Sequence, residues 1–132
     1  MKYMLDTNIW IYLFNRSSIN LIQRIKEKEP GEICISSITL AELKFGFRKS
    51  RKSAQNLAAL SKALIPFEIM SFGAEECDEY AEIRLSLETR GKKIGPLDTM
   101  IAAHARTLGV TLVTNNVREF ERVEGLLIEN WV

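Results

Sequence analysis

The feature that most constrains this chain is a steady alternation of short apolar runs and longer stretches of helical period. Residues 2–5, 32–36, 67–72, 110–114 and 126–128 read as strands, because they are brief and rich in Ile, Val, Leu and Met. Between them, residues 7–15, 19–28, 54–64, 74–90 and 97–108 repeat their apolar residues every three or four positions, as does a helix opened by Ser37 or Thr39. Residues 117–122 read as a helical turn. Glu29-Pro30-Gly31, Pro66, Gly91 and Gly109 supply the stop signals. Strands separated by helices need crossover connections, so the pattern predicts a parallel central sheet with helices on both faces.

A chain of 132 residues that is 46% hydrophobic can build one core, and no linker or repeat divides it. The expectation is one α/β domain over residues 1–132. The longest early apolar run, residues 9–14, is too short to span a bilayer. Asp6 and Asn8 interrupt the segment that a secretory leader would need. A cytoplasmic protein with no membrane association is expected. Cys34 lies in an apolar strand and Cys77 in an acidic helix, with no CxxC pairing, so both read as free thiols.

The net charge of +1 gives no general sign of nucleic-acid binding. Locally the charge is uneven: Lys44, Arg48, Lys49, Arg51 and Lys52 form one basic stretch, and Arg90, Lys92 and Lys93 another. Each is either a solvated surface or a set of phosphate contacts.

Three acids occupy comparable places. Asp6 ends the first strand, Glu42 is expected in the first turn of the helix after the second, and Asp98 in the first turn of the helix introduced by Gly95-Pro96. Ligands of open parallel sheets bind at the carboxyl ends of the strands. Asp6 and Glu42 belong to that edge, and Asp98 joins them if its helix starts there. Each acid also has a structural role open to it. Asp6 suits an N-cap, Thr39–Glu42 fits a capping box, and Asp98 complements a helix dipole. Together they would repel: at roughly 5 Å and an effective dielectric near 20, each pair costs about 3 kcal/mol. A cation would relieve that cost, and an all-oxygen donor set points to Mg²⁺ or Mn²⁺. His104, the only histidine, reads as a packed helix residue, and no zinc set exists. With no nucleophilic triad, P-loop or dinucleotide fingerprint, these residues suit metal-assisted phosphodiester hydrolysis best.

Four blocks then resemble a known family. They are Met4-Leu5-Asp6-Thr7-Asn8; Ile35 to Leu43 with Gly46; Ile94-Gly95-Pro96-Leu97-Asp98 with Ile101-Ala102-Ala103-His104-Ala105; and Leu112-Val113-Thr114-Asn115-Asn116 with Arg118-Glu119-Phe120. In this order they are similar to PIN-domain toxins of the VapC type, and the resemblance extends to the closing Ile128-Glu129-Asn130-Trp131. It implies a PIN-domain fold and an endoribonuclease with Mg²⁺ or Mn²⁺ bound by Asp6, Glu42 and Asp98. It also implies polar support from Thr7, Asn8 and Thr114. The implied partners are a homodimer mate, a VapB-like antitoxin in a larger hetero-oligomer, and structured RNA. That RNA would be tRNA, the initiator tRNA anticodon stem-loop in particular.

One position departs from the family pattern. Many PIN domains carry a fourth acid where this chain has Asn116, with Glu119 the nearest substitute. That departure keeps open a non-catalytic PIN-like module that binds nucleic acid or protein. A phosphatase or nucleotidase using the same acids is a third reading. The apolar side chains Ile9, Trp10, Leu13, Phe14, Phe45 and Phe47 are either core or a groove for the antitoxin.

Overall fold

All sheet pairings are parallel in the computed structural model, which describes residues 1–132. The strands are β1 (Tyr3–Leu5), β2 (Ile33–Ser36), β3 (Glu68–Met70), β4 (Thr111–Val113) and β5 (Ile128–Glu129), in the spatial order β3-β2-β1-β4-β5. The helices are α1 (Thr7–Phe14), α2 (Ile19–Lys26), α3 (Ser37–Arg48), α4 (Ser53–Ala63), α5 (Ala74–Thr89), α6 (Pro96–Leu108) and the single turn α7 (Val117–Phe120). The expected α/β class, with helices on both faces, is what the chain forms.

The two faces follow from the two-residue period of a strand. Met4 pairs in register with Cys34 on one side and Leu112 on the other, and all three enter one core with Ile83 and Leu87 of α5, Ile101, Ala102 and Ala105 of α6, and Phe120. Leu5, Ile33, Ile35 and Val113 enter the second core with Ile9, Trp10, Leu21, Leu43, Leu60 and Trp131. A one-residue slip of β1 would exchange these two sets, so burial on both faces fixes the register. Small residues at Ala102, Ala103 and Ala105 let α6 lie close against the sheet, and Arg106 ties it to Glu79 and Glu82 of α5.

Several boundaries differ from expectation for local reasons. The strand expected over 67–72 keeps only Glu68–Met70, because the Phe67 amide donates to Leu64 O and the Phe72 amide to Ser37 Oγ. Glu29-Pro30-Gly31 leads into a 3-10 turn, Pro30–Glu32, which delivers the chain straight into β2. The last strand is Ile128–Glu129, displaced from 126–128. Asp6 caps α1 through its own side chain, and Gly109, at φ +69°, closes α6.

No helix is long and apolar enough to cross a membrane. Cys34 is buried and Cys77 exposed, and both are free. His104 is fully buried, with Nδ1 2.8 Å from Ser36 Oγ and its ring edge-on to Phe72. Burial lowers its pKa. Of the apolar side chains in question, Ile9 and Trp10 are core, Leu13, Phe14 and Phe47 pack against it, and Phe45 stands 64% exposed.

Candidate active site

The strand order reverses between β1 and β4, and in a parallel sheet that reversal opens a crevice at the carboxyl edge. Asp6 and Thr114 are the first residues beyond these two strands. Their backbones are still paired, the Asp6 amide donating to Val113 O at 2.9 Å. Asp6 is only 4% exposed, and both carboxylate oxygens are occupied: Oδ1 accepts from the Thr7 amide at 2.7 Å and Oδ2 from Thr114 Oγ1 at 2.9 Å. Its pKa is raised. Burial outweighs the two hydrogen bonds that favour the anion, and the charge of Glu42 adds to the rise.

Glu42 reaches the same crevice from α3, but not as the sequence suggests. Ser36, the last residue of β2, is the N-cap, accepting from the Ile38 amide at 3.1 Å, so α3 begins at Ser37. Thr39 and Glu42 therefore form no capping box, and Glu42 lies in the second turn, not the first. Its Oε1 instead accepts from Thr7 Oγ1 at 2.8 Å. Buried Thr39 holds its hydroxyl 3.2 Å from Thr7 Oγ1 and can donate back to it.

Asp98 arrives through the direction of α6. That helix runs from Pro96 to Leu108 and then feeds β4 at its amino end, so its first turn must lie at the carboxyl edge. With Gly95 as N-cap and Pro96 as the first helical residue, Asp98 sits in the turn where the helix dipole favours an anion. Even so its pKa is pushed up to about 6, first by burial, then by the charges of Asp6, Glu119 and Glu42. Asp6, Glu42, Asp98 and Glu119 thus share one electrostatic neighbourhood, and none of them forms a salt bridge.

The other expected residues divide. Thr7 and Thr114 hold carboxylates directly, as above. The Asn116 amide nitrogen donates to Thr114 Oγ1 at 3.0 Å, and its side-chain Nδ2 donates to Glu119 Oε2 at 3.2 Å. Asn116 therefore steers Glu119, the acid nearest in sequence. Asn8 is exposed on α1 and makes no side-chain hydrogen bond. Sequence reasoning missed Thr39 as a partner of Thr7. It also missed the Ser36–His104 contact, by which α6 grips the residue that caps α3; a serine at a strand-to-helix junction was the available signal.

The donor set suits a hard cation in kind: it is all oxygen, partly buried, and without a basic side chain to neutralise it. No three acidic, histidine or cysteine side chains stand close enough to enclose an ion unaided. A divalent ion would thus take fewer protein oxygens and complete its shell with water, which Mg²⁺ tolerates.

A doubly covered parallel sheet with acids at its switch point is the arrangement expected above of a PIN domain. The PIN-domain family model matches residues 3–126, and the chain belongs to that family. It is 43% identical to Ribonuclease VapC2 of Haemophilus influenzae over 132 residues, covering 100% of this chain and 99% of the relative. It is 40% identical to the tRNA(fMet)-specific endonuclease VapC of Shigella flexneri, covering 99% and 98%. Its fold matches the crystal structure of VapBC2 from Rickettsia felis bound to a DNA fragment from their promoter, with a TM-score of 0.93, 42% identity and 100% of both chains covered.

Proposed function

We propose that this chain is a divalent-metal-dependent endoribonuclease, the toxin of a type II toxin–antitoxin pair, acting through Asp6, Glu42 and Asp98. The observation that carries the reading is the set of uncompensated carboxylates at the β1/β4 switch point, with Asp98 raised to about 6 by its neighbours and burial. Full-length relatives named as ribonucleases support the activity, and the tRNA(fMet)-specific relative supports a tRNA substrate. The VapBC2 neighbour supports a VapB-like antitoxin as partner. The ion is Mg²⁺ or Mn²⁺, and the protein acts in the cytoplasm as a homodimer.

When bound, such an ion supplies a water of lowered pKa and neutralises phosphate charge in the transition state. The chain's own part is positioning. Thr7 N and Thr114 Oγ1 fix the plane of the Asp6 carboxylate before substrate arrives. Thr7 Oγ1 holds Glu42 toward the same space, and Asn116 holds Glu119. Prearranged polar groups of this kind need no reorganisation as charge develops.

The test is cleavage of purified initiator tRNA in Mg²⁺, with the RNA ends then sequenced. The expected result is one dominant cut in the anticodon stem-loop, abolished by EDTA. Intact tRNA in both Mg²⁺ and Mn²⁺ would remove the proposed substrate, and intact total RNA the proposed activity.

Metal and pH should also be linked through Asp98. Its folded pKa of about 6 lies above the ordinary value of 3.8, so between these values the folded chain holds a proton that the unfolded chain has lost. This carboxyl's contribution to stability is present below pH 4 and lost as pH rises through 6. An ion that binds the carboxylate should therefore restore most at neutral pH. At an ion concentration about ten times its Kd, Mg²⁺ or Mn²⁺ should raise Tm by about 3–5 °C at pH 7.5. The rise should be distinctly smaller at pH 5. Equal rises at the two pH values would show that the ion does not engage Asp98.

A further inference from the structure

Beside the acidic crevice lies a second concavity of opposite charge, about 590 Å³ in volume, lined by Arg90, Gly91, Lys92, Lys93, Arg118, Glu121 and Arg122 with no hydrophobic residue. Five cations face one acid. None of the five takes part in any salt bridge of the molecule.

Two of them are nevertheless held in place. Arg90 Nη2 donates to Arg122 O at 2.8 Å, and Arg122 Nη1 donates to Lys93 O at 2.9 Å. These reciprocal ties pin the end of α7 to the loop between α5 and α6. They use neutral carbonyls, so both guanidinium charges remain uncompensated. Gly91, at φ +68°, makes the turn that brings Lys92 and Lys93 round to face α7. Five cations on a braced frame, with Glu121 the one acid in the lining and no ion pair formed, make a site for an anion.

The concavity and the acidic crevice share α7. Glu119 on that turn acts on Asp98, while its neighbour Arg118 and Arg122, four residues on, line the basic side. The same loop that carries Lys92 and Lys93 continues through Gly95 into the first turn of α6, where Asp98 stands. An anion bound in the concavity thus lies next to the acidic centre. The absence of any hydrophobic residue from the lining speaks against a protein partner, whose interface would bring a hydrophobic centre. A polyanion with evenly spaced charges fits instead.

We propose that this concavity is a phosphate-backbone subsite that holds RNA nucleotides flanking the bond to be cut, an inference that rests on the ribonuclease reading. Arg90 and Arg122 build the frame, while Lys92, Lys93 and Arg118, exposed and without side-chain hydrogen bonds, supply free charge.

The experiment measures the Kd of a fluorescently labelled initiator-tRNA anticodon hairpin by anisotropy, in EDTA to prevent cleavage, across a salt series. The full chain is compared with K92Q/K93Q/R118Q. A charge-matched control, K2Q/K26Q/K62Q, removes cations that precede strands and so lie at the opposite edge of the sheet. The expected result is Kd raised about tenfold or more by the first triple at 0.1 M salt, with the slope of log Kd against log salt reduced by about 2. The control should change Kd less than about twofold. A single R118E, measured alongside, should weaken binding in the same direction and guards against a loss peculiar to the triple. If K92Q/K93Q/R118Q binds as tightly as the parent while the parent still cuts RNA in Mg²⁺, the subsite is refuted and the ribonuclease reading stands. Equal losses in both triples would also refute it, since only general charge would then matter. A parent that neither binds nor cuts RNA would remove the reading and the subsite together.

Discussion

Asp98→Asn should abolish RNA cleavage, lowering kcat by roughly 10³-fold or more, while leaving the fold intact. The exchange keeps the shape of the side chain and its place in the first turn of α6, but removes its charge. In place of an anionic carboxylate, asparagine offers one neutral oxygen, which a hard cation binds more weakly. The same exchange should not destabilise the metal-free protein at neutral pH. The carboxyl there has a pKa pushed to about 6 by burial and by Asp6, Glu119 and Glu42, so at pH 7.5 its ionised form is held against its environment. Asp98→Asn should therefore match or exceed the parent Tm without metal, and should lose most of the Tm rise with Mg²⁺. Single-turnover cleavage with melting curves decides it. A variant that cuts at the parental rate in Mg²⁺ would show the acidic centre to be wrongly assigned.

Trp10→Ala should have the largest effect on stability, costing about 3–5 kcal/mol. Trp10 is fully buried in the second core, its ring edge-on to Phe67 at a 5.2 Å centroid separation and tilted against Phe14 at 6.1 Å. Its indole Nε1 donates to Leu5 O at 3.0 Å, the last carbonyl of β1 before Asp6. Truncation leaves a cavity and removes the donor from a buried carbonyl, and the two losses add. In urea the midpoint should fall with m unchanged. Trp10→Phe separates the contributions, since it restores most of the volume but not the hydrogen bond, and should cost about 1–3 kcal/mol. A loss under 1 kcal/mol for Trp10→Ala would mean that this core does not depend on the ring. Because a domain's total stability is only about 5–15 kcal/mol, a loss of this size removes a large share of it.

The order of strands and helices was legible because each element carries its own period. Met4 and Leu5 on opposite faces of β1, and the small residues along α6, leave little choice of architecture. The meeting of Asp6 with Asp98 was legible only conditionally. It depends on which edge α6 starts from, and that follows once β4 is known to run parallel beside β1. Glu42 was singled out for its place in the helix after β2, and the competing structural role fails: Thr39–Glu42 matches a capping box in spacing, but Ser36, three residues before Thr39, already caps the helix. Local sequence offered two valid starts, and the burial of β2 decided between them. Arg118 and Arg122 were not picked out beside Arg90, Lys92 and Lys93, since the two groups meet only when the α5–α6 loop folds back on α7. The i, i+4 spacing of the two arginines was the one available sign.

The pairing of β1 with β4 carries a consequence for biosynthesis. Tyr3 lies opposite Thr111, so the inner hydrogen bonds of the sheet join segments far apart in the order of synthesis. Contacts so distant in sequence are slow to form and cannot be replaced by local ones. A nascent polypeptide still held at the ribosome, with β4 inside the exit tunnel, has neither Val113 O to receive the Asp6 amide nor Thr114 to steady its carboxylate. Asp6 and Glu42 are made well before Asp98 and Thr114, so the crevice they share is completed only once β4 has left the tunnel.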